Sequence, residues 1–362
     1  MHKILFVTGT RADFGKLKPL IQVVKEQASI FATGMHMLDK YGMTCIEIEK
    51  AGFEYYPFIN QHSETAMDSV LSNTIDGLSL YLREHPTDLL VVHGDRVEAL
   101  AGACVGALNN ILVAHIEGGE VSGTIDESIR HAVSKLAHIH LVSNDEAATR
   151  LRQMGEENIF VIGSPDIDVM LSDSLPTMDE VKDKYAIPFD EYAICIYHPV
   201  TTEPLDLVMF DALERSKKNY VVIYPNNDPG AKRIISRIDM LDGKYFYVLP
   251  SMRFEHFLTL LKHAEFIIGN SSAGIREAPV YGVPTIDVGT RQQGRYTGAS
   301  VVNCRNISEI LSAISHPPKS AKSFHFGRGD SALKFLKVLP QIWDLSPQKR
   351  FIDAKDEKNA KI

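Results

Sequence analysis

The stretch HIEGGEVSGTIDESIRH, His115 to His131, sets Glu117, Glu120, Asp126 and Glu127 among three glycines, two serines and Arg130. Carboxylates in a glycine-rich loop suit acid and base chemistry, because glycine lets the backbone approach a ligand closely. The plainer alternative is a solvated loop with an Asp capping an ordinary helix. A further acid comes from VVHGDRVEA, in which an apolar run delivers His93, Gly94, Asp95 and Arg96 at its C-terminal end. Asp95 reads either as an ionised acid beside Arg96 or as the cap of a helix starting near Val97. Asp95, Glu117 and Asp126 would converge from two neighbouring loops. Clustered acids do not all ionise comfortably, so at least one should titrate higher and act as a proton donor or shuttle.

Cations and hydroxyls occupy other loops. IIGNSSAGIREAPVYGVPTIDVG reads as a strand, a Ser/Gly turn and a helix beginning around Ala273. Its backbone N–H groups, with the hydroxyls of Ser271 and Ser272, suit a diphosphate, and Glu277, about one turn into the helix, suits ribose hydroxyls. His198 in YHPVTTE ends a strand and fits a phosphate contact. Arg291, in GTRQQGRYTG with Arg295, reads either as neutralising a leaving diphosphate or as a surface cation anchoring its loop. In TGTRADFGK, Arg11 and Lys16 meet an anionic ligand or are solvated cations at a helix start. Arg96 joins these substrate-side cations. The TGTRADFGK loop lacks GxGxxG, so no nicotinamide cofactor is expected, and no cluster with metal-ligand spacing appears.

These loops need strands to deliver them. Strand patterns at residues 3–7, 31–33, 54–57, 88–92, 111–114, 139–142 and 159–162 alternate with helical ones, which predicts an α/β doubly wound parallel sheet. After GSPD, residues 163–166, a polar stretch containing Pro176 and Pro188 reads as a linker. A second alternating series follows, with strands at 192–197, 220–224, 245–248, 266–268 and 285–288 and helices such as 254–262. A polar Gly/Pro-containing segment, 315–330, precedes a helix over 331–345. Pattern alone therefore predicts two Rossmann-like domains with a cleft between them.

At 362 residues the chain fits two domains. Its 44% hydrophobic and 23% charged residues are those of an ordinary globular protein. The net charge of −8, without a basic run, argues against nucleic acid as a partner. MHKILFVTGT enters a strand pattern directly, so neither a secretory leader nor a membrane span is expected, and the cytoplasm is the expected location. Cys45, Cys104, Cys195 and Cys304 lie far apart without CxxC and read as reduced packing residues.

At these motifs the chain resembles the hydrolysing UDP-N-acetylglucosamine 2-epimerases that begin bacterial sialic-acid synthesis, and the epimerase half of the animal bifunctional enzyme. TGTRADFGKLKPL, TGMHM, HGDR, HIEGGEVSGTIDESIRH, GSPD, HPVTTE, GNSSAGIRE and GTRQQGR fall in family order over nearly the full length, and SPQKRFID resembles the bacterial members. Some sialic-acid epimerases read HIHGGE where this chain has HIEGGE, a departure at Glu117. The resemblance implies a GT-B arrangement of two Rossmann-like domains around an interdomain cleft. It places an acid-bearing domain at 1–168, a linker at 169–184, a UDP-binding domain at 185–345, and segment 346–362 returning to the first. Hinges would lie between Gly163 and Pro188 and near Leu345 to Pro347.

The implied reaction is UDP-N-acetylglucosamine plus water to N-acetylmannosamine plus UDP. It runs by elimination to 2-acetamidoglucal and then hydration with inversion at C2. The resemblance carries the catalytic acids onto Asp95, Glu117 and Asp126, and UDP contacts onto Arg11, His198, Ser271, Ser272, Glu277 and Arg291. It needs no cofactor and favours a homodimer. Competing expectations are a GT-B glycosyltransferase, a hydrolysing epimerase for a 2,4-diacetamido-6-deoxy sugar nucleotide, and a sugar-nucleotide sensor without turnover.

Overall fold

Runs such as ILFVT, LLVVH and LVAHI are apolar at four of their five positions because parallel strands between two helical layers are buried on both faces. In the computed structural model, which describes residues 2–39, 42–62, 65–121, 125–200, 207–225, 230–350 and 352, these runs build two separate parallel sheets. The chain divides into a first unit, residues 1–169 with 325–362, and a second, residues 170–324.

The first unit runs β1 (Ile4–Thr8), α1 (Arg11–Val23), β2 (Ala28–Ala32), α2 (Ile46–Lys50), β3 (Tyr56–Pro57), α3 (Met67–Glu84), β4 (Leu89–His93), α4 (Val97–Leu108), β5 (Leu112–Ile116), α5 (Ile125–Leu136), β6 (Ile139–Val142), α6 (Asp145–Gln153), β7 (Ile159–Val161) and α7 (Asp166–Met170). Its strand order is β3-β2-β1-β4-β5-β6-β7, so the order reverses between β1 and β4. Ligand crevices in such sheets lie beyond the C-terminal strand ends at that reversal. Thr10–Asp13 and His93–Asp95 leave the sheet there.

The second unit runs α8 (Met178–Tyr185), β8 (Ala193–Ile196), α9 (Val208–Ser216), β9 (Tyr220–Ile223), α10 (Ala231–Ile238), β10 (Phe246–Leu249), α11 (Phe254–Lys262), β11 (Ile267–Gly269), α12 (Ala278–Tyr281), β12 (Thr285–Val288), β13 (Val301–Cys304) and α13 (Ile307–Ser315). The order β10-β9-β8-β11-β12-β13 reverses between β8 and β11, which are followed by His198, two residues on, and by Asn270 directly. The doubly wound α/β expectation holds for both units. Strand β13 is an addition: its four residues VVNC are too few, and too exposed at the sheet edge, to stand out as a buried run.

The chain's return differs from the expectation. Helix α14 (Ser331–Ile342) packs Phe335, Val338, Leu339 and Ile342 into the core formed by Phe14, Leu17, Leu20 and Ile21 of α1. Asp168 fixes its start, accepting hydrogen bonds from Ser331 N and Ala332 N, both at 2.9 Å. The boundary at 345 and the hinge near Leu345 to Pro347 are therefore corrected: the chain rejoins the first unit at His325, because α14 buries its apolar face there. Nor is 169–184 a bare linker. Thr177 opens α8 with a capping box to Glu180, and Thr259 of α11 donates to Pro176 O at 2.8 Å, which ties this stretch to the second unit.

All four cysteines are free thiols. Among the described residues no helix is long and apolar enough to cross a membrane.

Candidate active site

The first unit assembles its polar groups around the ends of β1, β4 and β5. Thr10 caps α1, accepting from Asp13 N at 3.1 Å, and Asp13 Oδ2 accepts from Gly9 N at 3.3 Å. The other Asp13 oxygen is 3.1 Å from Nδ1 of His93, the last residue of β4. His93 Nε2 lies 3.2 Å from Glu117 Oε2, near enough for ion pairing though not aligned as a hydrogen bond. Lys16, one turn along α1 from Asp13, reaches Glu117 Oε1 and Oε2 at 3.2 and 3.1 Å and Asp166 Oδ2 at 3.6 Å. Ser164 Oγ donates to Glu117 as well.

Burial alone would lower the pKa of His93, but Asp13 and Glu117 outweigh it and push it up to about 8. His93 is thus an imidazolium at neutral pH, held between two carboxylates. Burial would raise Asp13, yet the His93 hydrogen bond and the charges of His93 and Arg96 hold it below the usual carboxylate range. Glu117 follows β5 with φ +61°, a left-handed conformation uncommon outside glycine. The next two residues are glycines for a steric reason: a Cβ on Gly119 would meet Ala147 O at 2.4 Å, and one on Gly118 would meet Ser134 Oγ and His115 Nδ1 at 2.9 Å.

Asp95 forms an ion pair with Arg130 of α5. It does not cap α4, whose N-cap is Arg96 without a side-chain cap bond. Asp126 is in the first turn of α5, four residues before Arg130 and so on the same side of the helix. Since His93 and Ile116 are register partners, Asp95 and Glu117 leave adjacent strands, and the three expected acids are delivered from one region. His115 braces them from below: its Nε2 is 2.8 Å from Gly94 O and its Nδ1 3.0 Å from Ser134 Oγ, and burial drives its pKa down to about 3. Ser122, Gly123 and Thr124 of the same loop lie outside the described residues.

Asp95 is paired with Arg130 and Glu117 with Lys16 and His93, and in this cluster His93 is a group shifted upward. One expectation changes here. Lys16 sits on the acid side, against Glu117 and Asp166. Arg96 is held by Glu98, Nε to Oε2 at 3.1 Å, while Arg11 is exposed at the start of α1. Glu120 accepts from Ser143 Oγ.

In the second unit Asn270 is the organising residue. Fully buried after β11, its side chain accepts from His198 N at 2.6 Å and donates to His198 O at 2.8 Å. Its carbonyl accepts from Arg291 Nη1 at 3.2 Å and Gln292 Nε2 at 2.8 Å. Gly269 precedes it at φ +134°, and a Cβ there would meet Ile196 O at 1.9 Å, so only glycine lets β11 pass β8 this closely. Asn270 thus brings His198, Ser271 and Arg291 together at the strand ends.

The helix expected from Ala273 is broken. Ser272–Gly274 form a 3-10 turn, and α12 begins only at Ala278, with Pro279 at its start and Glu277 as its N-cap. The N–H groups of Ala273 to Glu277 are spent inside the turn, on Ser271 Oγ, Ser271 O, Ser272 O twice and Ala273 O. The hydroxyls and side chains, more than a helix N-terminus, are what this loop offers an anion. Asp13, Ser164, Asp166 and Asn270 are not singled out by the sequence reading, which names His93 at its strand end without giving it a role, although all lie inside or beside the quoted motifs.

The family model described as UDP-N-acetylglucosamine 2-epimerase matches residues 22–340. The chain belongs to the UDP-N-acetylglucosamine 2-epimerase family. Within it, the chain is 48% identical over 98% of its length to the UDP-N-acetylglucosamine 2-epimerase of Neisseria meningitidis serogroup B, covering 99% of that protein. It is 31% identical over 94% of its length to the hydrolysing UDP-N,N'-diacetylbacillosamine 2-epimerase of Legionella pneumophila, covering 96% of it. A solved UDP-GlcNAc 2-epimerase from Methanocaldococcus jannaschii, in complex with UDP-GlcNAc and UDP, superposes with TM-score 0.78 at 20% identity, covering 94% of this chain and 99% of that one. This last likeness establishes the shared epimerase fold.

The His93 assignment gives a pH test on this epimerase-family chain. A histidine raised from 6.5 to about 8 contributes stability that is complete below pH 6.5 and lost as pH rises through 8. The shift corresponds to about 2 kcal/mol. Urea unfolding at pH 6 and pH 9 should therefore show wild type losing about 2 kcal/mol more than His93→Gln. Equal losses in the two proteins would mean that His93 is not a buried cation.

Proposed function

We propose that the chain is a hydrolysing 2-epimerase that converts UDP-N-acetylglucosamine and water to N-acetylmannosamine and UDP. The observation that carries this reading is Glu117, a left-handed residue at a strand end gripped by Lys16, His93 and Ser164 beside the Asp95–Arg130 pair. In the proposed elimination the C1–O bond to the diphosphate breaks, the C2 proton passes to a carboxylate, and the released pair forms the C1=C2 bond of 2-acetamidoglucal. Water then adds its oxygen to C1, and a proton returns to the opposite face of C2.

A C2 proton with no adjacent carbonyl is weakly acidic, and a carboxylate paired with two cations is a weak base. Departure of UDP must therefore run ahead of proton removal, building positive charge at C1 that Asp95, Glu117 and Asp126 stabilise. The diphosphate side falls to His198, Ser271, Ser272 and Arg291, with Glu277 on the ribose and Arg11 and Arg96 as further cations. The reading requires that both units act on one substrate. It also includes a homodimer in the cytoplasm, working at the first step of sialic-acid synthesis.

One finding favours a second reading, a UDP-2,4-diacetamido-6-deoxy sugar as substrate: the 31% identity with the Legionella enzyme. Initial rates with both sugar nucleotides separate the two. The first reading expects kcat/KM for UDP-N-acetylglucosamine to be higher by at least about tenfold, because a pocket shaped for the C4 and C6 hydroxyls disfavours an amide and a methyl. The reverse ratio would replace it with the second.

A further inference from the structure

The closing motif SPQKRFID supplies a residue that the catalytic account does not use. Lys349 lies at the far end of α5 from Asp126, and its ammonium donates to Ser134 O at 3.2 Å, Lys135 O at 2.8 Å and Ala137 O at 2.8 Å. The Ser134 and Lys135 carbonyls are among the last of the helix, which have no partner within it, and that of Ala137 directly follows its end; a cation there also favours the helix dipole. The same ammonium meets the carboxylate of Glu156.

Glu156 has a fully buried side chain that Lys135 Nζ also reaches at 2.7 Å and His140 Nε2 at 3.2 Å. Burial would raise its pKa, but these three partners hold it down to about 2, so the anchor is charged. Two residues before Lys349, Pro347 O lies 2.8 Å from His138 Nε2. His138 Nδ1 accepts from Val113 N of β5 at 3.0 Å, so the Nε2 proton points at Pro347. The segment is therefore fastened both to α5, which carries Asp126 and Arg130, and to β5, which ends at Glu117.

We propose that Lys349 is a positioning residue for the reaction. By closing the C-terminal end of α5 onto buried Glu156, it sets the helix so that Arg130 meets Asp95 and Asp126 stands at its first turn. A helix is stiff along its axis, so an end fixed at Lys135 constrains the register of Arg130, five residues away. The inference rests on the epimerase reading above.

Lys349 variants test it against the wild type, each assayed for N-acetylmannosamine release from UDP-N-acetylglucosamine and for UDP binding by calorimetry. Lys349→Met keeps the apolar stem and removes charge and donors, whereas Lys349→Arg keeps both. The expected result is a kcat lower by roughly 10- to 100-fold in Lys349→Met, as a misplaced acid gives. KM, and the affinity and stoichiometry for UDP, should stay within about twofold, and Lys349→Arg should restore most of the rate. Should the Met protein not fold, Lys349→Gln, which retains a donor for the carbonyls, is read in the same way. Combined with Arg130→Met, the Lys349→Met effect should shrink to a small fraction of its single-variant size, because both act through Asp95.

Wild-type kcat in Lys349→Met would overturn the proposal. So would a loss of rate matched by an equal loss of UDP-binding sites, or full additivity with Arg130→Met. Failure of the epimerase reading would look different: wild type itself would release no N-acetylmannosamine.

Discussion

Glu117→Gln is expected to lower N-acetylmannosamine formation by on the order of 10³-fold or more, the loss typical of a positioned acid or base, while UDP affinity changes less than about twofold. Gln is nearly isosteric and still accepts from Ser164, so the loop keeps its left-handed turn. The charge that Lys16 and His93 balance is gone, however, and with it one of the two carboxylates that raise His93. The variant should therefore also show a His93 pKa closer to its ordinary value, readable by NMR of the ring protons. Turnover at the wild-type rate would remove Glu117 from the mechanism. A His93 shift accompanying that unchanged turnover would leave Glu117 only as a partner that raises the His93 pKa.

Asn270→Ala is expected to produce the largest loss on the nucleotide side. The side chain satisfies both the N–H and the C=O of His198, and leaving each without its partner costs about 1–3 kcal/mol. We expect UDP to bind roughly 10- to 100-fold more weakly, and stability to fall by about 2–4 kcal/mol. Asn270→Asp separates the two effects. It keeps an acceptor for His198 N and loses the donor to His198 O, and it sets a negative charge beside the loop assigned to the diphosphate. Its UDP affinity should fall at least as far as that of the Ala variant for a smaller loss of stability. Normal UDP binding in both variants would move the nucleotide away from Asn270.

What could be read from the residues, and what could not, follows from how far each interaction reaches along the chain. Strand ends are legible because largely apolar runs terminate at His93, Glu117, His198 and Asn270, where polar residues begin. Local steric rules add Gly118, Gly119 and Gly269. The pairing of Asp13 with His93, and of Lys16 with Glu117, joins positions 80 and 101 residues apart, and no local pattern encodes it. Asp95 offered a cap or an acid on equal terms until Arg130 was seen to claim it.

The broken helix after Ser272 was missed for a different reason. The turn signal NSSAG and the apolar residues after it fit an N-capped helix, but Pro279 supplies no N–H and fits only the first turn of a helix, so α12 starts beside it. The early return of the chain rests on α14, whose apolar face could have served either core. Its docking on α1, with Asp168 capping its start, decided the matter.

The most direct test of the central claim is turnover of UDP-N-acetylglucosamine by the wild-type chain in deuterated water, followed by NMR of the released sugar. Elimination followed by hydration predicts free N-acetylmannosamine carrying deuterium at C2, formed with one equivalent of UDP. Release of a sugar that retains its C2 proton, or UDP release without any N-acetylmannosamine, would contradict it.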